Sequence, residues 1–230
     1  MVDTRAHSHE NPLILTGLRV CYFGRYDDHY SRNALLIKCF QRAGAEVIQI
    51  RNDRALLLRT PALFRRASRL HFDLIVVAFR AHSDMPAARA LARLKRVPLL
   101  FDPLTSRYEE KVVDRALVRA GSPLGRWYYA IDKLGCHMAD RIVLETDGQI
   151  EFFCRTFGVS PAKCRRVWLG ADDEIMRPVG ARPPSDRFTV FFYGRYSPLH
   201  GVEHIVRAAS LLEQRGEPVD FVVVGAGQIF

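Results

Sequence analysis

The sequence predicts an α/β chain: a doubly wound parallel sheet over most of its length, then the first β-α-β unit of a second sheet. Three observations carry this. Short apolar runs such as residues 73–79 lack polar alternation, so both of their faces are buried, as in a parallel sheet covered by helices on either side. These runs alternate with stretches of helical period, residues 85–95 among them. A proline-rich stretch from Arg177-Pro178 to Pro183-Pro184-Ser185 then breaks the composition, and the strand-helix-strand pattern restarts beyond it.

In chain order, residues 1–16 are polar and aperiodic and read as a mobile tail. A strand at 18–23 ends at Gly24, and a helix at 31–43 stops at Gly44 before a strand at 46–50. Thr60-Pro61 reads as an N-cap followed by proline at the first helical position, opening a short helix that runs to Leu70. There follow strands at 73–79, 97–101, 141–145 and 163–169, with helices at 85–95, 124–138 and 149–157, the last closing at Gly158. This places an N-terminal domain at 17–176, a linker at 177–186 and the start of a second, incomplete domain at 187–230. In that last part a strand at 188–193, a helix at 201–215 and a strand at 219–224 form one unit. Handedness brings its two strands side by side and parallel, with Gly225-Ala226-Gly227 as the following turn.

Composition bounds the function. The 230 residues carry 34 Lys+Arg against 25 Asp+Glu, a net charge of +9, and 48% are hydrophobic, so the chain is globular and outside the range of disordered proteins. Eleven basic and three acidic side chains fall within 51–96, so the basicity is a patch. Such a patch attracts phosphates of nucleic acid, an anionic membrane or nucleotides. Aromatic residues are not interleaved with the basic ones as base-stacking platforms, which argues against nucleic acid. On the helix at 60–70, Leu63, Phe64, Ala67 and Leu70 share one face. This is either a surface helix with a solvated basic rim or a helix resting on anionic lipid, with Leu56-Leu57-Leu58 adding apolar surface. On the lipid reading the membrane-surface residues are Arg59, Phe64, Arg65, Arg66 and Arg69. Five cysteines without CxxC spacing disfavour a disulfide framework and a zinc knuckle, and no metal is expected. No apolar stretch approaches the roughly 20 residues of a membrane span, and residues 1–8 lack the order of a secretory signal. The expected location is the cytoplasm, with peripheral contact at the inner face of the plasma membrane on the lipid reading.

In doubly wound sheets ligands bind beyond the carboxyl ends of the strands. The residues there are Gly24-Arg25-Tyr26-Asp27, Arg80-Ala81-His82, Asp102-Pro103, Thr146-Asp147 and Gly194-Arg195. Gly24 and Gly194 either let the backbone approach an anion or serve turn geometry alone. Neither lies in a GxGxxG or GxxxxGK[ST] pattern, so a dehydrogenase fingerprint and a Walker loop are unsupported.

Four segments together are more specific: Phe23-Gly24-Arg25-Tyr26-Asp27, Val167-Trp168-Leu169-Gly170-Ala171-Asp172-Asp173, Phe192-Tyr193-Gly194-Arg195 and Pro198-Leu199-His200-Gly201-Val202-Glu203. In these the chain resembles retaining glycosyltransferases of family four with GT-B architecture, two Rossmann-like domains facing each other across a cleft. The likeness runs from about Leu18 to Gly227. It implies transfer of a sugar, with retention, from a nucleotide-diphosphate donor to an acceptor hydroxyl, in cell-surface glycan or polysaccharide synthesis. The acceptor is a glycan, a lipid-linked or a small molecule, and no cofactor beyond the nucleotide-sugar substrate is implied.

The resemblance assigns donor phosphates to Gly24, Gly194, Arg195, His200 and Gly201, and a catalytic part to Arg195 and Asp102. A guanidinium can bind two phosphate oxygens at once, which suits Arg195 to a leaving diphosphate. The family's usual lysine before the glycine is replaced here by His200, and its histidine after the fourth strand by Asp102. Asp102 either hydrogen-bonds sugar hydroxyls or caps the turn at Pro103. Tyr26, His82 and Asp84 fall on the acceptor side, where His82 and Asp84 either line the acceptor site or are merely exposed. The paired-glutamate motif of the family belongs after Phe230, so the reading expects a chain truncated in its second domain, with weak donor binding and little or no transfer. The rival expectation is a non-catalytic module docking on anionic membrane or a partner through 51–96.

Overall fold

The computed structural model describes residues 15–177, 180, 187–196 and 200–227. The tail predicted at 1–16 lies outside them except for Leu15 and Thr16, and the linker predicted at 177–186 except for Arg177 and Gly180. The chain divides into two compact units, Met1–Asp173 and Glu174–Phe230.

The first unit runs β1 (Arg19–Gly24), α1 (Ser31–Arg42), β2 (Glu46–Arg51), α2 (Leu56–Ser68), β3 (Leu74–Val77), α3 (Met85–Lys95), β4 (Leu99–Phe101), α4 (Pro123–Met138), β5 (Arg141–Leu144), α5 (Asp147–Phe157) and β6 (Cys164–Arg166). Its six strands form one parallel sheet in the order β2-β1-β3-β4-β5-β6. Phe23 at the end of β1 pairs with Ile50 on one side and Val77 on the other. The winding reverses there: β1 leads outward to β2, and β3 starts the run toward β6. The unbroken apolar runs have the expected cause, because Tyr22, Phe23, Ile75, Val76, Val77, Leu99 and Phe101 are all fully buried between the helical layers.

Local chemistry fixes the helix ends. Ser122 accepts the Gly125 N–H at 3.1 Å to cap α4, with Pro123 in the first turn. Thr146 likewise caps α5 by accepting the Gln149 N–H at 3.1 Å. That helix ends at Gly158, whose φ of 67° is the left-handed conformation glycine adopts without strain. Helix α2 departs from expectation. It begins at Leu56, and Pro61 lies inside it. The Thr60 hydroxyl bonds back to the Leu56 carbonyl at 2.8 Å, so this threonine serves the helix interior and caps nothing. A second departure is a π-helical segment, Glu109–Asp114, between β4 and α4.

One long-range contact ties the layers together. Arg32 on α1 and Asp102 after β4 are both almost fully buried, with the Arg32 Nε 3.0 Å from one carboxylate oxygen and Nη2 3.2 Å from the other. Arg32 also donates to the Val167 carbonyl at 3.2 Å, which draws the segment after β6 against α1. The same segment is held further along by Lys38 on Asp172 at 2.7 Å.

The second unit contains β7 (Phe188–Tyr196), α6 (Val202–Gln214) and β8 (Val219–Gly227), with β7 and β8 paired in parallel from Phe188↔Val219 to Tyr196↔Gly227. Both strands outrun their predicted ends, so Gly225-Ala226-Gly227 is strand and not turn. A Cβ at Gly225 would collide with the Gly194 carbonyl, which explains the glycine there. Among the described residues no helix is long and apolar enough to cross a membrane.

Candidate functional site

The reversal between β1 and β3 leaves a crevice at the carboxyl edge of the first unit's sheet, the place where open α/β sheets bind ligands. The loop after β1 is shaped by Asp84, a buried carboxylate that accepts the Arg25 N–H at 2.8 Å and the Arg59 Nε at 2.9 Å. Gly24 is needed for this approach. Its φ is 118°, and a Cβ there would come within 2.4 Å of the Ala81 Cβ. Tyr26 is buried, and its hydroxyl donates to the Gln49 side chain at 3.1 Å, tying the loop to β2.

These elements border a cleft of about 650 Å³. Arg25, Arg51, Arg59, Arg80 and Arg107 line it, with Asp27 and Asp53 as the acidic side chains and Trp127 at its edge. Arg80 follows β3 with a φ of 76°, unusual for a residue with a side chain, and its guanidinium lies 5.9 Å from the Tyr30 ring centroid and 5.5 Å from that of Phe79. Arg107 donates from Nη2 to the Arg80 carbonyl at 2.9 Å. Burial, and then the charge of Arg80 against the pull of nearby carboxyls, bring the Arg107 guanidinium below its ordinary pKa.

Behind Arg107 a smaller pocket of about 120 Å³ is lined by Arg80, His82, Thr105, Arg107, Lys111 and Tyr128, with Glu110 also on its wall. His82 is 2% exposed and stacks edge-on against Phe101 at 5.2 Å, with the Thr105 backbone and the Asp132 carboxyl beside its ring nitrogens. Burial first, and Arg107 second, hold its pKa down to about 3, so the ring is neutral. Asp132 on α4 sits with Oδ1 3.8 Å from His82 Nε2, while its Oδ2 takes the Ser106 hydroxyl at 2.6 Å and the Tyr108 N–H at 2.9 Å. Burial pushes the Asp132 carboxyl up to about 6.

Several expectations are corrected here. His82 and Asp84 are not exposed loop residues. His82 is buried and does not line the cleft, and Asp84 is occupied in holding Arg25 and Arg59. Asp102 is fully buried on Arg32 and also takes the Leu104 N–H, so the turn-capping alternative is the one its geometry carries. Gly24 is buried, and its missing side chain makes room for Ala81 and Asp84. On α2, Arg59 points inward to Asp84 and Phe64 packs against the core, so neither belongs to a lipid-facing surface. Arg65, Arg66 and Arg69 are exposed, as are Leu57 and Leu58. Arg25 and Arg80 stand directly after predicted strands, which is the signal the sequence offers for them, whereas nothing in the local pattern marks Arg107.

In the second unit, Arg195 is exposed near the end of β7, opposite Ala226 in β8. Among the described residues no carboxylate pairs with its guanidinium. His200 is exposed, and its Nδ1 contacts the Arg195 carbonyl. Gly201 opens α6 with a φ of 59°. Gly194 lies in β7 close to the Phe192 ring and His200. Pro198 and Leu199 of the same motif lie outside the described residues.

A family profile described as a glycosyl transferase 4-like domain matches residues 14–170. The chain belongs to this family. Among curated glycosyltransferases, D-inositol 3-phosphate glycosyltransferase of Saccharomonospora viridis is 30% identical over 127 residues, covering 52% of this chain and 28% of that protein. Alpha-D-kanosaminyltransferase of Streptomyces kanamyceticus is 26% identical over 161 residues, covering 64% and 41%. The chain thus spans less than half the length of these relatives. The crystal structure of Anabaena Alr3699/HepE in complex with UDP and glucose superposes with a TM-score of 0.57 at 11% identity, covering 92% of this chain and 61% of that one. At that identity the likeness concerns the fold, which is the GT-B type in these glycosyltransferase-like proteins.

Proposed function

We propose that the chain serves a glycosyltransferase that moves a sugar from a nucleotide-diphosphate donor to an acceptor hydroxyl with retention of configuration, in glycan or polysaccharide synthesis. The observation that carries this reading is the family match over residues 14–170, on a sheet whose switch point opens into a basic cleft. The acceptor occupies that cleft in the first unit. In the second unit Arg195, a guanidinium without a carboxylate partner among the described residues, grips the leaving diphosphate, and Gly194, His200 and Gly201 border it. The neighbour solved with UDP and glucose is consistent with a nucleotide sugar as donor. Negative charge grows on the leaving oxygens in the transition state, so a fixed cation there lowers the barrier.

Arg195→Ala is expected to cost about 2 to 4 kcal/mol of transition-state stabilisation, read as kcat/KM for nucleotide-sugar turnover by the full-length protein. Unchanged turnover would reject the role of Arg195.

A second reading has its own observation. Leu57 and Leu58 at the start of α2 are 88% and 64% exposed, and Arg65, Arg66 and Arg69 stand exposed further along the helix. Apolar side chains beside guanidinium heads suit an anionic membrane surface at the cytoplasmic face. The protein is then expected to sediment with anionic but not neutral vesicles, and Leu57→Ser with Leu58→Ser to abolish this. Equal binding to both vesicle types removes the reading.

A further inference from the structure

We propose that a groove beside the cleft, framed by α2, α3 and α4, is a subsite for a single aromatic ring, and that the acceptor carries an aryl group next to the part held in the cleft. The inference rests on the proposed transferase function and names a feature of the acceptor that the basic cleft alone does not select.

The groove follows from the pattern of α4. Trp127, Ala130, Ile131 and Leu134 recur at spacings of three and four and so form one stripe on that helix. Ile131 is buried, but Trp127 and Leu134 remain 53% and 49% exposed. Leu56 at the start of α2, and Met85 and Pro86 at the start of α3, line the same hollow of about 190 Å³. Leu57 and Leu58, the exposed leucines of the membrane reading, are not part of its lining.

The lining selects against charge. Five arginines line the neighbouring cleft, whereas no Asp, Glu, Lys or Arg lines the groove. Its polar side chains are Ser83 and His82, the latter kept neutral by burial. A strongly hydrated group would lose its water there without gaining a partner, so the occupant is apolar. Its size is also bounded: an apolar hollow of about 150 Å³ takes up one benzene ring, and a long acyl chain would overrun this one. Whole ligands usually need sites of about 300 Å³ or more, so the groove holds one part of a ligand. The remainder has the cleft, because Leu56, Ser83 and Trp127 line both concavities.

The side chains around the hollow favour a flat ring over a saturated one. The Trp127 indole stands where groove and cleft meet. Met85, 1% exposed, brings a polarisable thioether, and the His82 ring stands edge-on to Phe101 at 5.2 Å. Aromatic rings gain from such partners beyond the area they bury.

The test is binding without donor, on the whole chain, by calorimetry and by tryptophan fluorescence. The chain has two tryptophans, so Trp168→Phe leaves Trp127 as the reporter, and Trp168 lines neither concavity. The probes are the phenyl glycosides of glucose, galactose and mannose, their methyl, cyclohexyl and octyl counterparts below micelle concentration, and phenol. At least one phenyl glycoside is expected to shift Trp127 emission saturably and to bind about tenfold or more tighter than its methyl counterpart. It should also bind more tightly than its cyclohexyl counterpart and than phenol, and the octyl glycoside should bind no tighter. Leu134→Glu, which brings a charge, and Ala130→Phe, which fills the hollow, should each weaken the phenyl glycoside about tenfold or more. Both positions are exposed, so the fold is kept. Leu94→Glu, exposed on α3 and outside the groove, should change nothing. The inference is overturned if no phenyl glycoside binds at millimolar concentration, or if methyl or cyclohexyl glycosides or phenol bind as tightly. Tighter binding of the octyl glycoside would assign the groove to a lipid chain and overturn it too, as would wild-type affinity in both groove variants. Because no donor is present, absence of glycosyl transfer leaves this result standing. Transfer to acceptors without a ring, together with no binding of phenyl glycosides, would defeat this inference alone.

Discussion

Arg32→Ala is expected to destabilise the protein by about 3 to 5 kcal/mol, because it leaves the Asp102 carboxylate buried without a counter-charge. Both side chains are at most 1% exposed, so water cannot replace the lost partner. The guanidinium makes contacts at 3.0, 3.2 and 3.3 Å with the two carboxylate oxygens and reaches the Val167 carbonyl at 3.2 Å. Its removal therefore loosens α1, the turn after β4 and the segment after β6 together. Urea unfolding of wild type, Arg32→Ala, Asp102→Ala and the double variant separates the terms. The double variant should be more stable than Arg32→Ala, since it no longer buries a lone charge. A loss below about 1 kcal/mol for Arg32→Ala would show that the pair is hydrated in solution and that this account of the core is wrong.

That pair also marks where the sequence was legible and where it was not. The parallel sheet could be read because each strand is an apolar run and each helix a separate amphipathic stretch. Helix α3 was placed at its observed bounds, and α1 and α4 within one residue of theirs. These are local signals. The observed helix begins at Leu56, ahead of the predicted start, because Thr60-Pro61 only has the form of a cap and Leu56-Leu57-Leu58 supplies the first helical turn. The π-helical segment has no comparable signature in a single sequence.

The candidate site divides along the same line. Strand ends pointed correctly to Arg25, Tyr26 and Arg80 as neighbours of the cleft. Which charges face it and which are consumed in the core depends on partners far apart in the chain, Arg32 with Asp102 and Arg59 with Asp84. Periodicity cannot reveal such pairs. A histidine and an aspartate just after a strand look exposed on paper, yet both His82 and Asp84 lie under the loops they were expected to decorate.

The buried pair His82 and Asp132 gives the other large expected effect, a change in the pH dependence of stability. His82 is held down from 6.5 to about 3, mainly by burial, so the folded state refuses a proton that the unfolded chain accepts. Its contribution is fully present above pH 6.5 and is lost as pH falls toward 3, by up to about 5 kcal/mol in all. Asp132 is pushed up from 3.8 to about 6, again mainly by burial. It works the opposite way: its buried charge costs stability above pH 6, and that cost of about 3 kcal/mol disappears as pH falls through 3.8. The neighbours are Arg107 and the Thr105 backbone around His82, and Ser106, Tyr108 and Arg107 around Asp132. Glu109, its own carboxyl pushed up to about 7 by burial with Asp132 as a lesser cause, shares the region. Between pH 6.5 and 4 the contributions of His82 and Asp132 therefore oppose each other. Asp132→Asn keeps the shape and removes one of them, so this variant should lose about 2 kcal/mol more than wild type over that interval, measured by urea unfolding at each pH. His82→Leu should do the reverse and gain stability in acid. Parallel pH curves for wild type and Asp132→Asn would mean that one of these groups is reached by water, and the burial given as the cause of both shifts would fall with it.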